Sequence, residues 1–215
     1  MFYTQMELEE KKYNHFQKLG RPDSLPSWGI EVELSHFDER VLKLIEVGFV
    51  PTLETDTDVS VELKSPILLD TRLLSSISAL LDQVRESIIS THIHVDVSGV
   101  RKELRSSWNY FWDDKVIWLG NHPDQMVKLF GRGFNAWATD RIDLTKFSVF
   151  NIRTLYPTYE VRLSRFSSTQ QFIELVNWSR RVGFQFKSLQ QNGQSIETVK
   201  AKIDEEWRRF ISTVR

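Results

Sequence analysis

Ile30-Glu31-Val32-Glu33-Leu34 alternates apolar and acidic side chains. That is the period of a strand with one buried face, because successive side chains point to opposite sides of a sheet. Three more stretches repeat it. Val59, Val61 and Leu63 oppose Asp58, Ser60 and Glu62. Ile93, Val95 and Val97 oppose His92, His94 and Asp96. Val161 and Leu163 oppose Glu160 and Arg162. Each strand therefore has one oily face and one face of carboxylates or imidazoles. A single strand of this kind is ordinarily the solvated side of an antiparallel sheet. Solvated faces, however, favour Thr, Lys, Arg and mixed charge. A shared face holding Glu31, Glu33, Asp58, Glu62, Asp96 and Glu160 with two imidazoles costs free energy through like-charge repulsion. A bound cation offsets that cost. Hard divalent ions such as Mg²⁺ or Mn²⁺ take carboxylate oxygens and tolerate an imidazole or two.

Around these strands the sequence reads as an α+β chain. Residues 1–20 read as a polar amphipathic helix, broken by Gly20 and by Pro22 and Pro26. This predicts an N-terminal appendage and linker over 1–26 and a single domain over 27–215. Residues 38–47 predict a helix stopped at Gly48, and 49–53 a short strand. Pro66 is expected to end the Val59–Leu63 strand, and Asp70 to cap a long helix with Leu73, Leu74, Ile77, Leu80, Leu81, Val84 and Ile88 on one side. Residues 101–119 predict one aromatic helix, and Pro123 starts another. Strands are expected over 147–152 and 159–164. Two C-terminal helices over 169–190 and 195–214 flank Asn192-Gly193. The last of them carries Trp207, Phe210, Ile211 and Val214, for packing on its own domain or on a second copy in a homo-oligomer.

Composition narrows the function classes. The 215 residues are 40% hydrophobic and carry a net charge of −1, so nucleic acid or a membrane surface is not indicated as partner. No cysteine occurs, which removes thiol catalysis, iron–sulfur clusters and cysteine zinc sites and fits a reducing, cytoplasmic setting. The first residues have no signal-peptide pattern, and no stretch approaches the roughly 18 apolar residues of a membrane span. A P-loop and a Gly-x-Ser-x-Gly elbow are both missing. The Trp108–Trp118 cluster has no dense basic run around it, so it is expected in the core.

Several of these residues resemble a known family. Gly29-Ile30-Glu31-Val32-Glu33 resembles the Gly-x-Glu-x-Glu strand that opens the amidoligases, which are glutamine synthetase-like carboxylate–amine ligases. Glu62-Leu63-Lys64-Ser65-Pro66 is similar to their Glu-x-x-Ser-Pro, and His92-Ile93-His94-Val95-Asp96 to their His-x-His-Val strand. Residues 146–151, Phe-rich and ending in Asn151, followed by Glu160-Val161-Arg162, are similar to their closing Asn and Glu-x-Arg elements. The order is also theirs, over residues 28–187. Thr91 departs from the pattern, standing where a glycine usually precedes the histidine pair.

The resemblance implies a curved, mainly antiparallel sheet with helices on one face, and a concave face that holds metal ions and ATP. It implies phosphoryl transfer from ATP to a carboxylate substrate, then attack of an amine substrate on the acyl phosphate. By motif position, Glu33 and Glu62 would hold one Mg²⁺ or Mn²⁺, and Glu31, His92 and Glu160 a second. His94 would contact a nucleotide phosphate, and Arg162 would stabilise the transferring group or orient the carboxylate. Arg153 is assigned with them to nucleotide binding. Arg132, Arg141 and Arg165 are further candidates for phosphate or substrate. Two other classes compete: a metal-dependent hydrolase or oxygenase using His92, His94 and Glu160, and a non-catalytic structural protein that keeps the fold.

Overall fold

A computed structural model describes residues 18–37, 39–52, 61–135, 138–140, 148–152, 158–162, 164–191 and 193–214. Among them the chain is α+β, with eight strands in one open, mixed sheet and seven α-helices. The strands are β1 (Lys18–Leu19), β2 (Trp28–Leu34), β3 (Val50–Thr52), β4 (Val61–Lys64), β5 (Ile67–Leu68), β6 (Ile88–Asp96), β7 (Phe150–Ile152) and β8 (Thr158–Val161). The helices are α1 (Glu39–Glu46), α2 (Leu74–Gln83), α3 (Arg101–Ser106), α4 (Trp108–Asn121), α5 (Pro123–Phe130), α6 (Thr169–Gln191) and α7 (Ile196–Ile211).

The sheet order is β1-β5-β2-β6-β8-β7. β4 shares the β5 edge of β2, and β3 lies outside β4. Every pair is antiparallel except β1 with β5, which makes the sheet mixed. β2 and β6 are the long central strands, and their register sets everything that follows. Glu31 lies opposite both Lys64 and His92; Glu33 lies opposite Glu62 and Ser90. His94 lies opposite Gly29 and Glu160, and Glu160 opposite Asn151.

The apolar faces of these strands, with Ile30, Val32, Leu63, Ile93, Val95 and Val161, form one core with side chains from every helix. Val41, Leu81, Leu104, Trp112, Phe130, Trp178 and Phe210 are examples in chain order. Aromatic packing dominates it: Trp112 stacks on Phe150 at 4.1 Å, and Trp178 on Phe210 at 4.6 Å. The tryptophan cluster is thus core, as expected for Trp108 and Trp112. Trp207 and Phe210 bury against the chain's own domain. α6 lies so close to β6 that a Cβ on Gly183 would sit 2.5 Å from Val95 Cγ1. That contact leaves room only for a glycine.

Several local readings need correction. Lys18–Leu19, inside the stretch read as a helix, adds a strand to β5; residues 1–17 lie outside the described residues. The following segment is held by Arg180, fully buried, whose guanidinium binds Asp23 at 2.7 Å and donates to the Pro26 carbonyl at 2.9 Å. β4 does end just before Pro66, as expected, but pairing along this edge of β2 is only interrupted there. Ser65 bridges the break: its Oγ accepts from the Ile30 N–H at 2.9 Å, and β5 resumes pairing beyond Pro66. Asp70 does not cap α2, which begins at Leu74 without a side-chain cap. Its carboxylate instead accepts from the Arg21 and Arg72 backbone N–H groups. The aromatic helix of 101–119 is two helices, broken at Ser107. The last helix is capped by Ser195, whose Oγ accepts from the Thr198 N–H at 3.2 Å.

Candidate metal centre

The register brings the odd polar residues of β2, β6 and β8 to one place. Because Glu31 pairs with His92, and His94 with Glu160, the two carboxylates flank the two imidazoles diagonally. His94 Nε2 lies 3.4 Å from Glu31 Oε2 and 3.6 Å from Glu160 Oε1. His92 Nδ1 lies 3.4 Å from Glu31 Oε2 and 3.5 Å from Glu160 Oε1. Glu31, His94 and Glu160 each offer a ligand atom within 4.8 Å of the other two. These groups are withdrawn from water: Glu160 is 0% exposed, His92 3% and Glu31 8%.

Neighbours fix the orientation of each group. Thr158 Oγ1 lies 3.4 Å from His94 Nδ1, which leaves Nε2 facing the two carboxylates. That Nε2 is buried and has no hydrogen-bond partner among the described residues. A buried imidazole nitrogen that makes no hydrogen bond is costly unless something accepts its lone pair or its proton. A cation between Glu31, His94 and Glu160 would accept the lone pair, and the donor set of two carboxylates and one imidazole suits a divalent ion. Arg162 Nη1 donates to Glu160 Oε1 at 3.1 Å, and Asn151 Nδ2 lies 3.5 Å from Glu160 Oε2. Arg162 Nε and Asn151 Oδ1 are likewise buried without a hydrogen bond.

Electrostatics agree with this arrangement. Burial pushes the Glu31 carboxyl up. The charge of His94, a hydrogen bond from His92, and the Lys64 ammonium together outweigh burial and hold it well below the usual carboxylate range. Its neighbours therefore keep Glu31 ionised.

The remaining predicted residues sit one step away. The Ser90 hydroxyl donates to Glu33, and His92 Nε2 lies 3.7 Å from Glu33 Oε1. Glu62 accepts from Thr52 Oγ1 at 2.9 Å and pairs with Lys64 at 3.3 Å. Lys64 also reaches Glu31 at 3.4 Å, so one ammonium offsets part of the acidic repulsion. The structure thus brings Glu31, His92, His94, Glu160 and Arg162 into contact distance and ties Glu33 and Glu62 to their rim. It also places His94, expected at a nucleotide phosphate, beside the carboxylates. Arg153, Asp58 and Arg141 lie outside the described residues.

Sequence reasoning missed Lys64, Ser90 and Thr158. Lys64 shares the parity of Glu62, and Ser90 that of His92, so strand period pointed to both. Ser90 was lost because β6 was expected to begin at His92. Thr158 preceded the expected start of β8.

A cleft opens beside the centre. Glu31 and His94 form one end; Gly29, Ser65, Pro66 and Asp96 line the rest. Gly29 keeps the floor low, since a Cβ there would lie 3.2 Å from Ser65 Oγ.

Comparison with protein-family models, with curated proteins and with solved structures finds no match to this chain. No helix among the described residues is long and apolar enough to cross a membrane.

Proposed function

We propose that the chain is an ATP- and Mg²⁺-dependent carboxylate–amine ligase built on a glutamine synthetase-like sheet. The observation that carries this reading is the buried His94 Nε2, which faces both Glu31 and Glu160 without forming a hydrogen bond. Divalent ions held there would neutralise a triphosphate and favour in-line phosphoryl transfer. Glu31, His94 and Glu160 would hold the ion, with His92 orienting both carboxylates. Glu33 and Glu62 are the acids available for a second ion. Arg162, fixed by Glu160, faces the same side and suits a planar, bidentate hold on the transferring group or on the substrate carboxylate. The cleft over Gly29 adjoins Glu31 and His94, so a ligand seated there would present its end to the metal centre. The motif resemblance supplies the reaction: a carboxylate is phosphorylated and an amine displaces phosphate.

The test is calorimetric titration with a non-hydrolysable ATP analogue, with and without Mg²⁺. Binding that requires the metal is expected. A second reading, a metal-dependent hydrolase or oxygenase, is favoured by one feature: both imidazoles reach both carboxylates. It predicts one tightly held transition metal and no nucleotide binding. Lack of both metal and nucleotide binding would instead favour a structural protein.

A further inference from the structure

Two side-chain cations already stand among the carboxylates of this face. Arg162 serves Glu160, and Lys64 serves the opposite side. Strand register puts Lys64 there. It lies directly across the β2–β4 pair from Glu31 and shares the face of Glu62, two residues before it. Its Nζ lies 3.4 Å from Glu31 Oε1 and 3.3 Å from Glu62 Oε2. One ammonium therefore bridges carboxylates from two strands, which is the place a second metal ion takes in a two-metal site.

Glu31 is divided between two sides. Its Oε1 faces Lys64, and its Oε2 faces both imidazoles. The acids considered for a second ion are also engaged. Glu62 Oε2 accepts from Thr52 Oγ1 at 2.9 Å, and Glu33 accepts from the Ser90 hydroxyl. Among the described residues, only Glu31, His94 and Glu160 offer three ligand atoms within 4.8 Å of one another. Charge leads to the same count. Glu31, Glu33, Glu62 and Glu160 bring four negative charges, and Lys64 and Arg162 offset two of them through direct ion pairs. One divalent ion balances the remainder with both imidazoles neutral. A second would leave an excess of positive charge at short range.

We propose that the Lys64 ammonium stands in for a second metal ion, so that without nucleotide the centre takes a single divalent cation, at Glu31, His94 and Glu160. This rests on the metal-centre reading above and departs from a two-ion site. A lysine supplies a fixed point charge and hydrogen-bond donors but no open coordination position. Lys64 also lines the cleft, so that charge is presented to whatever the cleft holds.

The experiment titrates the EDTA-treated, dialysed full chain with Mn²⁺ in the absence of nucleotide and counts bound ions per chain from the EPR signal of the free ion. The wild type and Lys64→Arg, which keeps the charge, should each bind one. Lys64→Met keeps the aliphatic stem without the charge and should bind two at millimolar Mn²⁺. Adding Glu62→Gln to Lys64→Met should return the count to one. The first ion should bind Lys64→Met no more weakly than the wild type, since it meets less positive charge. Circular dichroism should be unchanged throughout. Two ions in the wild type, or only one in Lys64→Met, overturns the inference. If the wild type binds none while Lys64→Met binds one that is lost with Glu62→Gln, the metal-ligase reading fails and the role of Lys64 stands. If no chain binds Mn²⁺, both fail.

Discussion

Replacing Arg162 with Met separates a structural ion pair from a metal centre. The Arg162 side chain is 12% exposed and Glu160 is 0% exposed, with 3.1 Å between Nη1 and Oε1. Removing one partner of a buried pair costs about 3–5 kcal/mol, because the other charge is left without compensation. His92, His94 and Asn151 still flank Glu160, so the lower end applies. For a chain of this size about 3 kcal/mol lowers Tm by roughly 6–12 °C. That is the deficit expected in EDTA. A divalent cation on Glu160 supplies the missing positive charge, so the deficit at saturating Mn²⁺ should be less than half as large. Guanidinium and cation also compete for one carboxylate, so Arg162→Met should bind Mn²⁺ more tightly than the wild type. Differential scanning fluorimetry reads the first effect and calorimetry the second. Equal Tm deficits in EDTA and Mn²⁺, or weaker Mn²⁺ binding in the variant, would refute the reasoning.

Other outcomes follow from single contacts. Ser65→Ala removes the acceptor of the buried Ile30 N–H and should cost about 1–3 kcal/mol in urea unfolding at an unchanged m value; an unchanged midpoint would show that the kink does not depend on the hydroxyl. Gly29→Ala puts a methyl group on the cleft floor, 3.2 Å from Ser65 Oγ, so nucleotide-analogue affinity should fall while Mn²⁺ affinity holds; equal analogue affinity would place the ligand elsewhere. The Arg72 side chain, then the Arg21 and Arg72 backbone N–H groups, lower the Asp70 carboxyl to about 2. A carboxyl lowered on folding contributes stability that is present above its ordinary value of 3.8 and is lost as pH falls through about 2. An NMR titration of the Arg21 and Arg72 amides should therefore show a midpoint near 2 and not near 4.

Much of the site was legible because strand parity is a strict rule. Glu31, His92, His94, Glu160 and Arg162 fall on one face wherever their strands pair, and the alternation around each was unbroken. Parity does not give register, so it left open which carboxylate meets which imidazole. That is why His94, and not only His92, turned out to lie between Glu31 and Glu160. Capping was less readable. Asp70 has the chemistry of an N-cap, yet two arginine N–H groups and the Arg72 side chain claim its carboxylate first. Lys18–Leu19 carries no strand pattern of its own; its pairing comes from the free edge of β5, a tertiary effect. The break at Ser107 likewise leaves no Pro or Gly signal. The packing of Gly131 against the Arg165 carbonyl joins residues 34 apart, which no local pattern encodes.

Divalent-cation binding by Glu31, His94 and Glu160 is open to anomalous diffraction from crystals of the wild type and of Glu160→Gln, both soaked in Mn²⁺ with an ATP analogue. The wild type should show a peak within ligand distance of His94 Nε2 and of carboxylate oxygens of Glu31 and Glu160, and the variant should show that peak lost or strongly reduced. A wild-type map at saturating Mn²⁺ with no peak among these three side chains would contradict the account.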